Sequence, residues 1–121
     1  MLSEAASRFA SDARFAGEIP GATHLGIAGS PGGGPYMKLW LRVLDSKIVQ
    51  AGYETYGCPT AMACGSATCQ LISGGPVERA KRVTEQDLLV VIGGVPEGKE
   101  HCPRLAIEAL EKAIGGTKCP A

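Results

Sequence analysis

Met37-Lys38-Leu39-Trp40-Leu41-Arg42-Val43, followed by Asp45-Ser46 and then by Lys47-Ile48-Val49-Gln50-Ala51-Gly52-Tyr53-Glu54-Thr55, is the stretch that decides the fold of this 121-residue chain. Met37, Leu39, Leu41 and Val43 alternate with Lys38, Trp40 and Arg42, which is the two-residue period of a strand with one buried face. Asp45-Ser46 supplies turn residues, and the following run places Ile48, Ala51 and Tyr53 among its apolar positions. Two such runs joined by so short a link predict an antiparallel hairpin.

Toward the N-terminus, His24 to Gly29 reads as a further short strand, and Gly29-Ser30-Pro31-Gly32-Gly33-Gly34-Pro35 as a mobile loop almost without side chains. Leu2, Ala6, Phe9, Ala10 and Ala13 recur at helical spacing, predicting a short helix from Ser3 to Phe15 that Gly17 and Pro20-Gly21 end. Toward the C-terminus the chain turns helical. A run from Thr60 to Ile72 stops at Gly74-Gly75, where a residue without Cβ closes a helix. Pro76 opens a short helix to Val83, and Thr84 caps another, Glu85 to Ile92, with Asp87 in a capping-box position. Leu105, Ala106, Ala109, Leu110, Ala113 and Ile114 form the apolar stripe of a last helix, Arg104 to Ile114. Strands first and helices afterwards give an α+β class: a three-stranded antiparallel sheet with helices packed on one face. The length fits a single domain over 1–121, with 1–16 an N-terminal helical segment and 116–121 a flexible tail.

Lysine plus arginine equals aspartate plus glutamate at 12 each, so the formal net charge is zero. Neither nucleic acid nor an anionic membrane is an expected partner, since both select a basic surplus on one face. The first residues carry no basic stretch followed by an apolar run, and the expected location is cytoplasmic. Five cysteines without a secretory signal point to metal-binding or reactive thiols rather than a disulfide framework.

Two of these cysteines precede proline at the start of a predicted helix: Cys58-Pro59 and His101-Cys102-Pro103. Proline suits the first helical position, where its missing N–H is no loss, so each cysteine is expected at or near an N-cap. There the positive end of the helix dipole favours the thiolate, the form that binds metal or attacks sulfur. If both helices start at one end of the sheet, Cys58, His101 and Cys102 converge as ligands of the types that hold zinc or an iron–sulfur cluster. The competing reading is two buried structural cysteines and a surface histidine. Cys64 and Cys69, roughly 9 and 16 Å along the helix axis from Cys58 at 1.5 Å per residue, are expected as small core residues, and Cys119 as a thiol in the tail. The glycine loop is no phosphate cradle, because neither Lys-Ser nor Lys-Thr follows and the next element is a strand. A Cys102/His101 hydrolase pair is disfavoured, since neighbours at a helix start are expected to point different ways.

Beyond these local readings, Met37-Lys38-Leu39, Lys47-Ile48-Val49-Gln50-Ala51 and Tyr53-Glu54-Thr55-Tyr56-Gly57-Cys58 together resemble the U-type iron–sulfur cluster assembly scaffolds, the NifU/IscU family. So do Ala61-Met62-Ala63-Cys64-Gly65-Ser66 and Gly74-Gly75-Pro76-Val77-Glu78-Arg79-Ala80. Gly93-Gly94-Val95-Pro96-Glu97-Gly98-Lys99-Glu100-His101-Cys102, with Leu105-Ala106 and Ala109-Leu110 after it, looks closer to the NifU branch. The resemblance runs from Gly17 to Gly115. It implies an α+β scaffold, not an enzyme, that receives sulfur from a cysteine desulfurase, gathers iron, builds a transient 2Fe–2S cluster and passes it to acceptor apo-proteins. By the same resemblance Cys58, His101 and Cys102 are the cluster and metal ligands, Cys102 is the candidate persulfide acceptor, and Lys99 is a neighbour or alternate ligand.

The sequence also departs from the family pattern. Gly33-Gly34-Pro35 stands where the resemblance leads one to expect Cys-Gly-Asp, so one thiolate ligand and a carboxylate are missing. The chaperone-recognition stretch is only Val95-Pro96-Glu97-Gly98-Lys99. Three functions follow: a variant scaffold or carrier, with the fourth ligand from Lys99, an external thiol or a second copy in a homodimer sharing the cluster; a degenerate paralogue that partners a cysteine desulfurase without a cluster of its own; or a zinc-binding domain.

Overall fold

The computed structural model describes residues 4–11, 13–30, 33–56 and 59–115. In chain order these form α1 (Glu4–Ser11), a 3-10 turn (Ala13–Phe15), β1 (His24–Gly29), β2 (Tyr36–Leu44), β3 (Lys47–Tyr56), α2 (Pro59–Ile72), α3 (Val77–Ala80), α4 (Glu85–Ile92) and α5 (His101–Ile114). The strands make one antiparallel sheet in the order β1-β2-β3, and the predicted hairpin is its centre. Asp45 and Ser46 carry the turn with φ of 52° and 63°. Positive φ at both central residues is the twist-compatible geometry for a two-residue hairpin link.

Alternation sorts the strands into two faces. Met37, Leu39 and Leu41 of β2, with Ile48, Ala51 and Tyr53 of β3, are buried in the core with residues of α2, α4 and α5. Two glycines set how closely the helices approach. A Cβ at Gly26 of β1 would collide with the backbone of α5 at Ala109 and Ala113, and one at Gly65 of α2 would enter the ring of Tyr53. Gly65 sits inside a helix, where glycine costs about 1 kcal/mol relative to alanine; the aromatic ring that fills its place is the physical reason for it.

Opposite the helices, Trp40 lies between Leu25 and Gly52 in register and is also buried. The chain between the 3-10 turn and β1 crosses here, placing the Gly17 carbonyl and the Ile19 side chain against Gly52. The helices thus occupy one face, while a single extended segment shields part of the other.

Thr84 and Asp87 make the predicted capping box: the Thr84 hydroxyl accepts from Asp87 N–H at 3.2 Å and the Asp87 carboxylate from Thr84 N–H at 2.9 Å. Gly93 closes α4 in the left-handed conformation at φ 76°. The N-terminal segment differs from a single helix, α1 ending at Ser11 before the 3-10 turn. The short helix after Pro76 is a single turn, Val77–Ala80, with Pro76 as its N-cap. Among the described residues no helix is long and apolar enough to cross a membrane.

Candidate functional site

The site is assembled at one end of the sheet. α2 leaves the core at the hairpin turn, where Ile48 N–H donates to Gly75 O at 2.8 Å and Val77 N–H to Ser46 O at 2.9 Å. Its first residue, Pro59, therefore lies toward the opposite end, where β3 ends at Tyr56. The C-terminal half of α5, with Leu110 and Ile114, shares a cleft with Ala80 and Lys81 near the turn end. Its 14 residues span about 21 Å, which carries His101 and Cys102 toward the end where α2 begins. The loop joining β1 to β2 closes at this end too, with Ser30 N–H donating to Pro35 O at 3.2 Å.

The entry to α5 is shaped by Pro96-Glu97-Gly98-Lys99. Lys99 N–H donates to Pro96 O at 3.0 Å, and Gly98 has φ 89°, the positive φ that a type II turn needs at its third residue. Lys99 O then accepts from Cys102 N–H at 3.0 Å, so this turn fixes where the cysteine enters the helix. The Pro-x-Gly pattern was the sequence signal for that positioning role.

Cys102 lies near the N-cap, as expected from the Cys-Pro pair, but is not the cap itself. α5 begins at His101 with Glu100 as N-cap, and Pro103 is its third residue. Proline is tolerated within the first turn because the first four helical N–H groups have no intrahelical acceptor, and the bond from Cys102 N–H to Lys99 O places Pro103 third rather than first. As a result the Cys102 side chain is buried, at 1% relative exposure, while His101 is exposed. The two do not point apart as expected for adjacent residues: Cys102 Sγ lies 3.6 Å from His101 Nε2.

His101 and Cys102 are therefore brought together, and the backbone of Lys99 joins them. Pro59 is the first residue of α2, as its sequence position predicts, but Cys58 lies outside the described residues, as does Cys119. Of the loop residues, Gly33, Gly34 and Pro35 are described; Gly33 N–H donates to Ser30 O at 2.9 Å. Cys64 and Cys69 are core thiols with no exposure. Burial pushes the Cys69 thiol far above its ordinary range, and a thiol that stays protonated is neither a nucleophile nor a ready ligand. Among the described residues no three His, Cys, Asp or Glu side chains converge on one point; the described donor set is one thiol and one imidazole.

The sequence and the fold, taken as wholes, are matched by known proteins. The family model of the NifU-like N terminal domain matches residues 3–118. The iron-sulfur cluster assembly scaffold protein IscU 1 of Archaeoglobus fulgidus is 34% identical over 101 residues, covering 84% of this chain and 66% of the relative. The nitrogen fixation protein NifU of Nostoc sp. is 37% identical over 91 residues, covering 74% of this chain and 30% of the relative. The chain thus spans just under two thirds of the first relative's length and under a third of the second's. The solved structure of a nitrogen-fixing NifU-like protein (N-terminal) from Brucella abortus shares the fold at a TM-score of 0.69 and 18% identity, over 93% of this chain and 91% of that one. With its three-stranded sheet, its helical layer and a family match that runs through both the hairpin and the His101-Cys102 helix start, the chain belongs to the NifU-like N-terminal domain family.

Proposed function

We propose that this chain is an iron–sulfur cluster assembly scaffold or carrier rather than an enzyme, and that iron and sulfide are its cargo. The observation that carries the reading is the His101–Cys102 pair, an imidazole and a thiol 3.6 Å apart at a helix start, in a domain whose relatives are named as cluster scaffolds. Both are ligand types suited to iron–sulfur clusters and zinc. Cys58, His101 and Cys102 hold the cargo as a 2Fe–2S cluster, with Lys99, an external thiol or a second copy completing the set. The domain works in the cytoplasm, takes sulfur from a cysteine desulfurase and gives the cluster to acceptor apo-proteins.

Cys102 receives the sulfur. Once local opening of the helix start exposes the buried sulfur, its thiolate attacks the outer sulfur of the desulfurase's cysteine persulfide. The S–S bond to the donor cysteine breaks, a new S–S bond forms on Cys102, and the donor cysteine leaves as thiolate, so the transfer involves no net oxidation. His101 Nε2 is near enough to take the proton from the Cys102 thiol beforehand.

Anaerobic reconstitution with iron, a sulfide source and reductant, followed by absorption spectroscopy and metal and sulfide analysis, tests the reading. Wild type is expected to bind iron and sulfide in equal amounts with a charge-transfer spectrum, and Cys102→Ala to lose both. Unchanged stoichiometric binding in Cys102→Ala refutes the site. A second reading is favoured by Gly33-Gly34-Pro35: a desulfurase partner without a cluster of its own. Colourless wild type that gains a cluster on Gly33→Cys with Pro35→Asp supports it. Bound zinc with a large loss of stability on chelation supports a zinc domain instead.

A further inference from the structure

The two edges of the sheet are managed in opposite ways. β3 is bridged by Ala16 in parallel at Tyr53 and by Pro76 at Lys47, and its ladder with β2 is interrupted where Val49 is the extra residue between Gln50, opposite Arg42, and Ile48, opposite Val43. These are the devices that blunt an edge against further pairing. β1, His24-Leu25-Gly26-Ile27-Ala28-Gly29, has none of them: no proline, no lysine, no bulge in its register with β2, and among the described residues no bridge on its far side.

Its outward hydrogen-bonding groups can be identified. Ser30 N–H donates to Pro35 O across the pair that closes the loop. Antiparallel pairs alternate between bonded and non-bonded, so Ala28–Met37 and Gly26–Leu39 exchange bonds within the sheet. The N–H and C=O of Leu25 and Ile27 then point away from β2. On the face opposite the helices their side chains continue the apolar row that starts at Trp40, with Ile27 37% exposed.

What fits this edge is set by α5. Its backbone lies directly over Gly26, so a second copy pairing strand to strand, about 4.8 Å away, would bring α5 against its symmetry mate far inside the roughly 8–10 Å that packed helices need. A lone strand meets no such obstacle. We propose that the β1 edge is a docking site for a single extended, uncharged segment of a partner protein, paired to Leu25 and Ile27, with small side chains toward α5 and apolar ones beside Leu25 and Ile27. This is strand addition, in which the main chain supplies affinity and alternate side chains supply selectivity. The proposal does not depend on cluster binding.

The test is amide NMR with hydrogen exchange on the full chain, titrated with a blocked, uncharged hexapeptide alternating valine with serine. Expected are shifts and at least tenfold slower exchange at the Leu25 and Ile27 amides. Ile27→Pro is expected to abolish them: it removes an outward N–H and no ladder bond, a placement proline tolerates. Ile27→Thr keeps the N–H and is expected to retain them, with thermal unfolding confirming that both variants fold. No shift with peptide at millimolar concentration overturns the proposal, as does equal binding by a folded Ile27→Pro. So does protection that rises with protein concentration in a dimer, which assigns the edge to a second copy. Protection without peptide that disappears when residues 116–121 are deleted assigns it to the chain's own tail, and equally overturns the proposal.

Discussion

Gly26 shows how much of this fold rests on single atoms. It is buried in β1 with the α5 backbone at Ala109 and Ala113 in the space a Cβ would need. A flexible side chain could move aside, but two packed backbones cannot. Gly26→Ala is therefore expected to destabilise the domain by about 3 kcal/mol or more, at the upper end for overpacking, as read by urea unfolding. Gly33→Ala is the control: among the described residues a Cβ there meets Ser30 alone, at 3.7 Å, and the change is expected to stay within about 0.5 kcal/mol. At Cys102 the same scale applies, because one turn of backbone decides whether the thiol caps the helix or is buried within it.

Among the elements, α4 is the one whose limits follow from local chemistry alone. Thr84 and Asp87 satisfy each other's backbone N–H groups at its start, and Gly93 closes it. Thr84→Ala is expected to cost about 1 kcal/mol, read as a lowered midpoint in denaturant with unchanged slope. α5 is the contrary case. Its apolar stripe was legible from Leu105 to Ile114, but its start was not. The Pro96–Lys99 turn directs Lys99 O onto the Cys102 N–H, so the helix begins before Pro103 rather than at it. Local residue preferences allow both starts; the hydrogen bond from the preceding turn selects one.

For the whole molecule, one buried thiol links folding to pH. Cys69 is raised by burial from an ordinary value of 9.0, so the folded state keeps a proton that the unfolded chain releases at alkaline pH. The stabilisation is complete below that value and is lost as pH rises above it, with a slope of at most about 1.4 kcal/mol per pH unit for one group. Above about pH 9 the stability of wild type is expected to fall more steeply than that of Cys69→Ala, measured by urea unfolding across pH 8 to about 10.5. Identical slopes would mean that Cys69 is not shielded from water. Native-state alkylation should likewise leave Cys69 unmodified until the protein unfolds.

The sequence by itself determined the hairpin, the strand before it, the capping box and the family, because each is written in residues close along the chain: a two-residue period, turn residues, a Thr-x-x-Asp pattern and a run of motifs in order. Three things were decided only by the tertiary structure. Trp40, read as an outward residue, is buried because the segment around Gly17 and Ile19 crosses the far face of the sheet. Gly26 and Gly65 are explained by what packs against them, an α5 backbone and a Tyr53 ring that are remote in sequence. The 3.6 Å approach of His101 to Cys102 depends on where α5 begins and on the core that buries the thiol. Periodicity shows which side of an element is apolar; which atoms then meet is fixed by packing among distant parts of the chain.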